Sequence, residues 1–136
     1  MRNMIDSSLW IDYFRPKTPV SVKALIDPIV RGPDAVTCEV ILFELLRAVP
    51  KKEAGKVTEF FATMPVLETP RSLWTEAGRL GQKCTEAGFL TPVMDLLIAQ
   101  VCIHHEALVT TFDEGFAKIA DVSQLRVRLL TRPAKG

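Results

Sequence analysis

Short apolar runs alternate with longer helical patterns from one end of the chain to the other, and this limits the possible folds more than any other feature. "DAVTCEV" and "ALVTT" are rich in β-branched residues, "LRVRLL" alternates apolar and basic ones, all are too short for helices, and "NMID" and "PVLE" are briefer apolar runs. Between them lie stretches with apolar residues at helical spacing, such as Ile41, Leu42, Leu45, Leu46 and Val49 in "ILFELLRAV". Strands separated by helices re-enter a sheet in the same direction, so the expectation is an α/β domain with a mostly parallel sheet.

Local signals place the helices. Ser7 or Ser8 can cap "SSLWIDYF". "PVSVKALIDPIVR" reads as a second helix, ended or interrupted near Pro28. "KKEAGKVTEFFATM" resumes a helix after Pro50, Gly88 stops the helix in "SLWTEAGRLGQKCTEAG", and Thr91 with Pro92 forms an N-cap and N1 pair. "DEGFAKIA" is a last helix. No repeat, low-complexity tract or linker divides the sequence, so residues 1–136 are expected to form one domain.

The helix in "TPVMDLLIAQVC" is anomalous. It is apolar nearly all round, yet Asp95 shares a face with Ile98, Ala99 and Cys102. A carboxylate buried without a partner finds a cation or gives up its charge. The helix dipole favours an acid in a first turn by only about 0.3–1 kcal/mol, and it does not call for an apolar face.

Other acids fall where they can join it. Sites in open α/β sheets gather outside the carboxyl ends of the strands. Asp6 ends the first strand, Asp113 follows "ALVTT", and Asp95 opens the helix leading into that strand. Glu44 lies on the helix after "DAVTCEV". Each has a plainer reading alone: Asp6 and Asp113 as helix caps, Glu44 as a solvated partner of Arg47. Carboxylates that converge repel one another unless a cation neutralises them. An all-oxygen donor set without Cys or His points to Mg²⁺ or Mn²⁺ rather than zinc, and suits phosphoryl chemistry.

The remaining composition sets bounds. Seventeen basic against sixteen acidic residues leave a net charge near +1, so any nucleic-acid-binding surface is local. Cys38, Cys84 and Cys102 are widely spaced and read as small core residues in a reducing compartment. With neither an apolar signal segment nor a membrane-spanning run, the expected location is the cytoplasm. His104 and His105 are adjacent, point about 100° apart in a helix, and are expected to be structural.

The blocks "MIDSSLWIDYF", "VILFELLRAV", "PVMDLLIAQVC" and "LVTTFDEGFAKI" together resemble the four motif blocks of PIN-domain ribonucleases, and within them the VapC-type toxins of bacterial toxin–antitoxin pairs. They occur in order, with spacings of 38, 51 and 18 residues between the four acids. The resemblance implies a three-layer α/β/α fold with a roughly five-stranded sheet. It makes Asp6, Glu44, Asp95 and Asp113 the catalytic, metal-binding set, with Ser8 and Thr111 as supporting hydroxyls. It also implies Mg²⁺- or Mn²⁺-dependent endoribonuclease activity, a homodimer, and silencing by a cognate VapB-type antitoxin. One departure stands out. The fourth block often carries a further acid two places after its Asp, where this chain has Gly115, so Glu114 is a candidate substitute. Glu39 fits the second block less well than Glu44 and is left out.

With so little net charge, RNA must be held by local contacts to phosphates, for which Arg15, Lys17, Arg47, Lys51 and Lys52 are candidates. Arg126, Arg128, Arg132 and Lys135 form a second basic group, with a solvated edge strand and tail as the plainer reading. Trp10, Phe14 and Phe43 could receive an antitoxin helix, with core packing the alternative for Trp10. Two other enzyme classes fit poorly. A HAD-type phosphatase needs a second Asp that "DSSLW" lacks, and a phospho-acceptor domain needs a Lys where "RVRLLTRP" has Arg. A non-toxin RNA-processing nuclease and a silent partner-binding subunit of a DNA-binding repressor complex are the remaining alternatives.

Overall fold

The structure, a computed structural model, describes residues 1–134. Its strands are β1 (Asn3–Ile5), β2 (Ala35–Cys38), β3 (Val66–Leu67), β4 (Leu108–Thr111) and β5 (Arg126–Leu129). They form one sheet in the order β3-β2-β1-β4-β5, and every adjacent pair is parallel. Helices α1 (Ser7–Phe14) and α2 (Val20–Val30) link β1 to β2. Next come α3 (Glu39–Ala48), a 3₁₀ turn at Lys51–Glu53, and α4 (Ala54–Phe61), leading to β3. Then α5 (Leu73–Glu86) and α6 (Val93–His105) lead to β4, and α7 (Gly115–Asp121) to β5.

Parallel crossovers are right-handed almost without exception, which places α1–α4 on one face of the sheet and α5–α7 on the other. The resulting three layers match the expected architecture. The chain leaves the sheet centre in one direction from β1 and in the other from β4, so the switch point lies between these two strands.

Burial explains the strands and corrects several local expectations. All four residues of β2 are buried, as is Val109 at the centre of β4, as expected of a sheet covered on both faces. Trp10 is 0% exposed, packed among Tyr13, Phe14, Phe60 and Phe61 at ring-centroid distances of 4.6–6.1 Å. Trp10 and Phe14 are therefore core residues where α1 meets α2 and α4, not a docking surface. Phe43, at 48% exposure, does lie open.

Helix α2 runs through Pro28 to Val30, because Ile26 and Val30 are buried around it and Arg31 bonds back to Asp27. Asp6, not Ser7 or Ser8, is the N-cap of α1, and Pro92 rather than Thr91 precedes α6. Gly88 does stop α5, with φ of 93°. The three cysteines are free and buried. Among the described residues no helix is long and apolar enough to cross a membrane.

Candidate active site

Asp6 stands at the carboxyl end of β1, beside the switch point, and is 3% exposed. Its hydrogen bonds are unevenly shared. Oδ2 accepts from Ser8 Oγ at 2.8 Å, from Thr111 Oγ1 at 2.8 Å and from Ser8 N at 3.4 Å. Oδ1 has one long contact, 3.5 Å from Ser7 Oγ. Burial pushes the Asp6 carboxyl above the ordinary aspartate range, and the Ser8 and Thr111 hydroxyls act against that rise.

The two hydroxyls work as a matched pair. Thr111 Oγ1 donates to Asp6 and accepts from Asp113 N at 2.9 Å. Ser8 Oγ donates to Asp6 and accepts from Phe112 N at 3.4 Å. Each thus ties Asp6 to the Phe112–Asp113 backbone after β4. With its one proton committed to Asp6 and a lone pair to a backbone N–H, each hydroxyl has a fixed orientation. Asp113 is held further by Gly115 N, which donates to its Oδ1 at 2.8 Å.

Asp95, in the first turn of α6, is half-buried. Its face is apolar as expected, because Ile98, Ala99 and Cys102 are all 0% exposed. Burial chiefly, then the charges of Asp6, Asp113 and Glu44, push its carboxyl from the ordinary 3.8 to about 7. A hydrogen bond with Asp113 adds to the rise, as when two carboxyls share a proton. Glu44 is also raised, first by burial and then by Asp6, with a Ser7 hydrogen bond and Arg47 acting against it. Its Oε1 is buried without a hydrogen-bond partner. The solvated pairing of Glu44 with Arg47 is therefore not what the structure shows.

The four expected acids are thus brought to one cleft, from β1, α3, α6 and the β4–α7 loop. Among the described residues none of them forms an ion pair with Lys or Arg. Among the described residues no group of three or more His, Cys, Asp or Glu is already drawn together closely enough to hold a metal ion. The donor set nevertheless fits a hard divalent cation. It is all oxygen, Glu44 Oε1 lacks a donor, and Asp95 is driven toward neutrality by burial and by the charges of its fellow acids.

Ser7 was legible only as a capping residue, although it lies between Asp6 and Glu44. Glu114 is exposed and is not among the charges acting on Asp95. A Cβ at Gly115 would lie 3.1 Å from Asp113 Oδ1, so this glycine lets the loop close on Asp113. Glu39 is exposed and accepts from Thr69 at 2.9 Å. His105 makes a 2.7 Å contact with the Glu68 carbonyl, a structural role.

Of the basic candidates, Arg15, Lys17, Arg47, Lys51 and Lys52 are all exposed. Arg126 and Arg128 are exposed on edge strand β5, whereas Arg132 is tied to Asp12. Lys135 lies outside the described residues.

Comparison with known proteins accords with this arrangement. The PIN domain family matches residues 4–122. Ribonuclease VapC21 of Mycobacterium tuberculosis is 32% identical over 69 residues, 49% of this chain and 50% of that protein. The chain therefore matches about half the length of that relative. The fold resembles a chain in the VapBC2 structure from Rickettsia felis bound to a promoter DNA fragment, with TM-score 0.75 and 17% identity, covering 96% of this chain and 99% of that one. It also resembles a chain of VapBC-5 from Mycobacterium tuberculosis, with TM-score 0.65 and 23% identity, covering 95% and 98%. With its family match spanning most of the sequence, the chain belongs to the PIN-domain family.

Proposed function

We propose that this protein is a metal-dependent endoribonuclease of the VapC toxin type, which hydrolyses RNA phosphodiester bonds and is neutralised by a cognate VapB-type antitoxin. The observation that carries this reading is the gathering of Asp6, Glu44, Asp95 and Asp113 at the switch point, with Asp95 pushed to about 7 by burial first and then by the charges of the other three. Asp6, Asp95, Asp113 and Glu44 would hold Mg²⁺ or Mn²⁺. When bound, such a cation supplies charge neutralisation and activates water for in-line attack on phosphorus.

The chain's own residues do the positioning. Ser8 and Thr111 hold Asp6 by Oδ2 and leave Oδ1 with only a long contact to Ser7. Gly115 N fixes Asp113. Arg15, Lys17, Arg47, Lys51 and Lys52 supply phosphate contacts, and Phe43 offers apolar surface to the antitoxin. The protein acts as a cytoplasmic homodimer. The ribonuclease named among its sequence relatives and the VapBC complexes among its fold relatives support this reading.

The test is incubation of purified protein with total RNA and Mg²⁺ or Mn²⁺. Cutting that requires the metal, and is abolished in Asp6→Ala and Asp95→Asn while both stay folded, is the expected result. Full activity in either variant removes the site assignment, and no cutting by the parent protein favours the silent repressor-subunit alternative.

A further inference from the structure

The mechanism above leaves the C-terminal segment without a role, yet its geometry is specific. After β5 the chain stays paired with β4 through Leu130 N, which donates to Thr111 O at 2.8 Å, and Arg132 follows two residues later. Arg132 makes two separate contacts. Its Nε donates to Asp12 Oδ2 at 2.8 Å, and Asp12 keeps only 16% of its side chain exposed. Its guanidinium carbon lies 4.4 Å from the ring centroid of Phe112, within cation–π range. Asp12 belongs to α1, the helix capped by Asp6, and Phe112 immediately precedes Asp113.

We propose that Arg132 is a positioning residue of the acidic cleft, strapping α1 to the Phe112–Asp113 segment and so fixing Asp113 relative to Asp6. It repeats, by charge and stacking, the link that Ser8 and Thr111 make by hydrogen bonds. The inference rests on the cleft assigned above, although its structural half stands without any activity.

A competing role for the same side chain is direct contact with RNA. Arg132, Arg15 and Lys17 line a hollow of about 380 Å³ with Asp12. The two roles give opposite signs for Asp12→Asn. If Arg132 is a strap, losing Asp12 loosens it just as losing Arg132 does. If Arg132 grips phosphate, removing the carboxylate that neutralises it strengthens RNA binding.

The experiment compares the parent, Arg132→Gln, Asp12→Asn and the double variant by amide hydrogen exchange in metal-free, RNA-free protein, then by kinetics of RNA cutting. Expected is exchange at Phe112 and Asp113 faster by about five- to tenfold in each single variant, as loss of an exposed ion pair and a cation–π contact allows. The double variant should be little worse than either single one. The kinetic loss should appear in kcat with KM nearly unchanged, and Arg132→Lys, which keeps the charge, should partly rescue it. Unchanged exchange in Arg132→Gln, or tighter RNA binding by Asp12→Asn, overturns the proposal. If the parent cuts no RNA, the ribonuclease reading fails, while the exchange data still decide on the strap.

Discussion

Removing the charge of Asp95 is expected to stabilise the metal-free protein at alkaline pH and to leave it nearly unchanged in acid. The sign follows from linkage. Asp95 titrates near 7 when folded, against an ordinary 3.8, so between those values the folded chain holds a proton that the unfolded chain has lost. Stability therefore falls as pH rises through that window and stays reduced above it. A gap of about three pH units at about 1.36 kcal/mol each, roughly halved because the group is only partly buried, leaves about 2 kcal/mol. Asp95→Asn is neutral at every pH and escapes this cost. The assay is urea unfolding of chelator-treated parent and variant at pH 4 and pH 8. The variant should gain about 2 kcal/mol at pH 8, or a melting temperature higher by roughly 6–10 °C, and little at pH 4. Added Mn²⁺ should then stabilise the parent more than the variant. An equal gain at both pH values, or none at pH 8, refutes the claim that burial and the other acids together raise the Asp95 carboxyl.

Three further substitutions probe the parts around it. Thr111→Val removes the donor to Asp6 and the acceptor for Asp113 N inside a fully buried site, and should cost about 1–3 kcal/mol in thermal or urea unfolding. Trp10→Ala should cost about 3–5 kcal/mol, because the ring fills the junction of α1 and α4, and an unchanged melting temperature would contradict its burial. Gly115→Ala places a Cβ 3.1 Å from Asp113 Oδ1. It should weaken Mn²⁺ binding in calorimetry while leaving stability unchanged or raised by up to about 1 kcal/mol.

The layout was legible in the sequence because its causes are local. The five strand runs, the αL stop at Gly88 and the apolar face of Asp95 are set by residue type and period, and all appear in the structure. Asp6, Asp95 and Asp113 could be named because an acid at a strand end or among apolar neighbours is conspicuous in the chain itself, whereas Glu44, readable alone as a solvated helix residue, is preferred to Glu39 by its fit to the family's second block. The misses depended on contacts between distant segments. Nothing near Trp10 says that Phe60 and Phe61 will close over it. Ser8 and Thr111 were named only through the family resemblance, and the residues alone gave no hint that both hydroxyls would meet on one oxygen of Asp6. The Arg132–Asp12 pair joins residues 120 positions apart, so the sequence shows Arg132 only as part of a basic cluster or of a solvated tail.

The most direct test of the four-acid site is location of the metal itself, by anomalous diffraction from crystals soaked in Mn²⁺. The expected result is a peak bonded at roughly 2.0–2.3 Å to carboxylate oxygens from Asp6 and from at least one of Asp95, Asp113 and Glu44, and absent in Asp95→Asn crystals soaked alike. A peak elsewhere, or an empty cleft at saturating Mn²⁺, would contradict the assignment of these carboxylates to one cation.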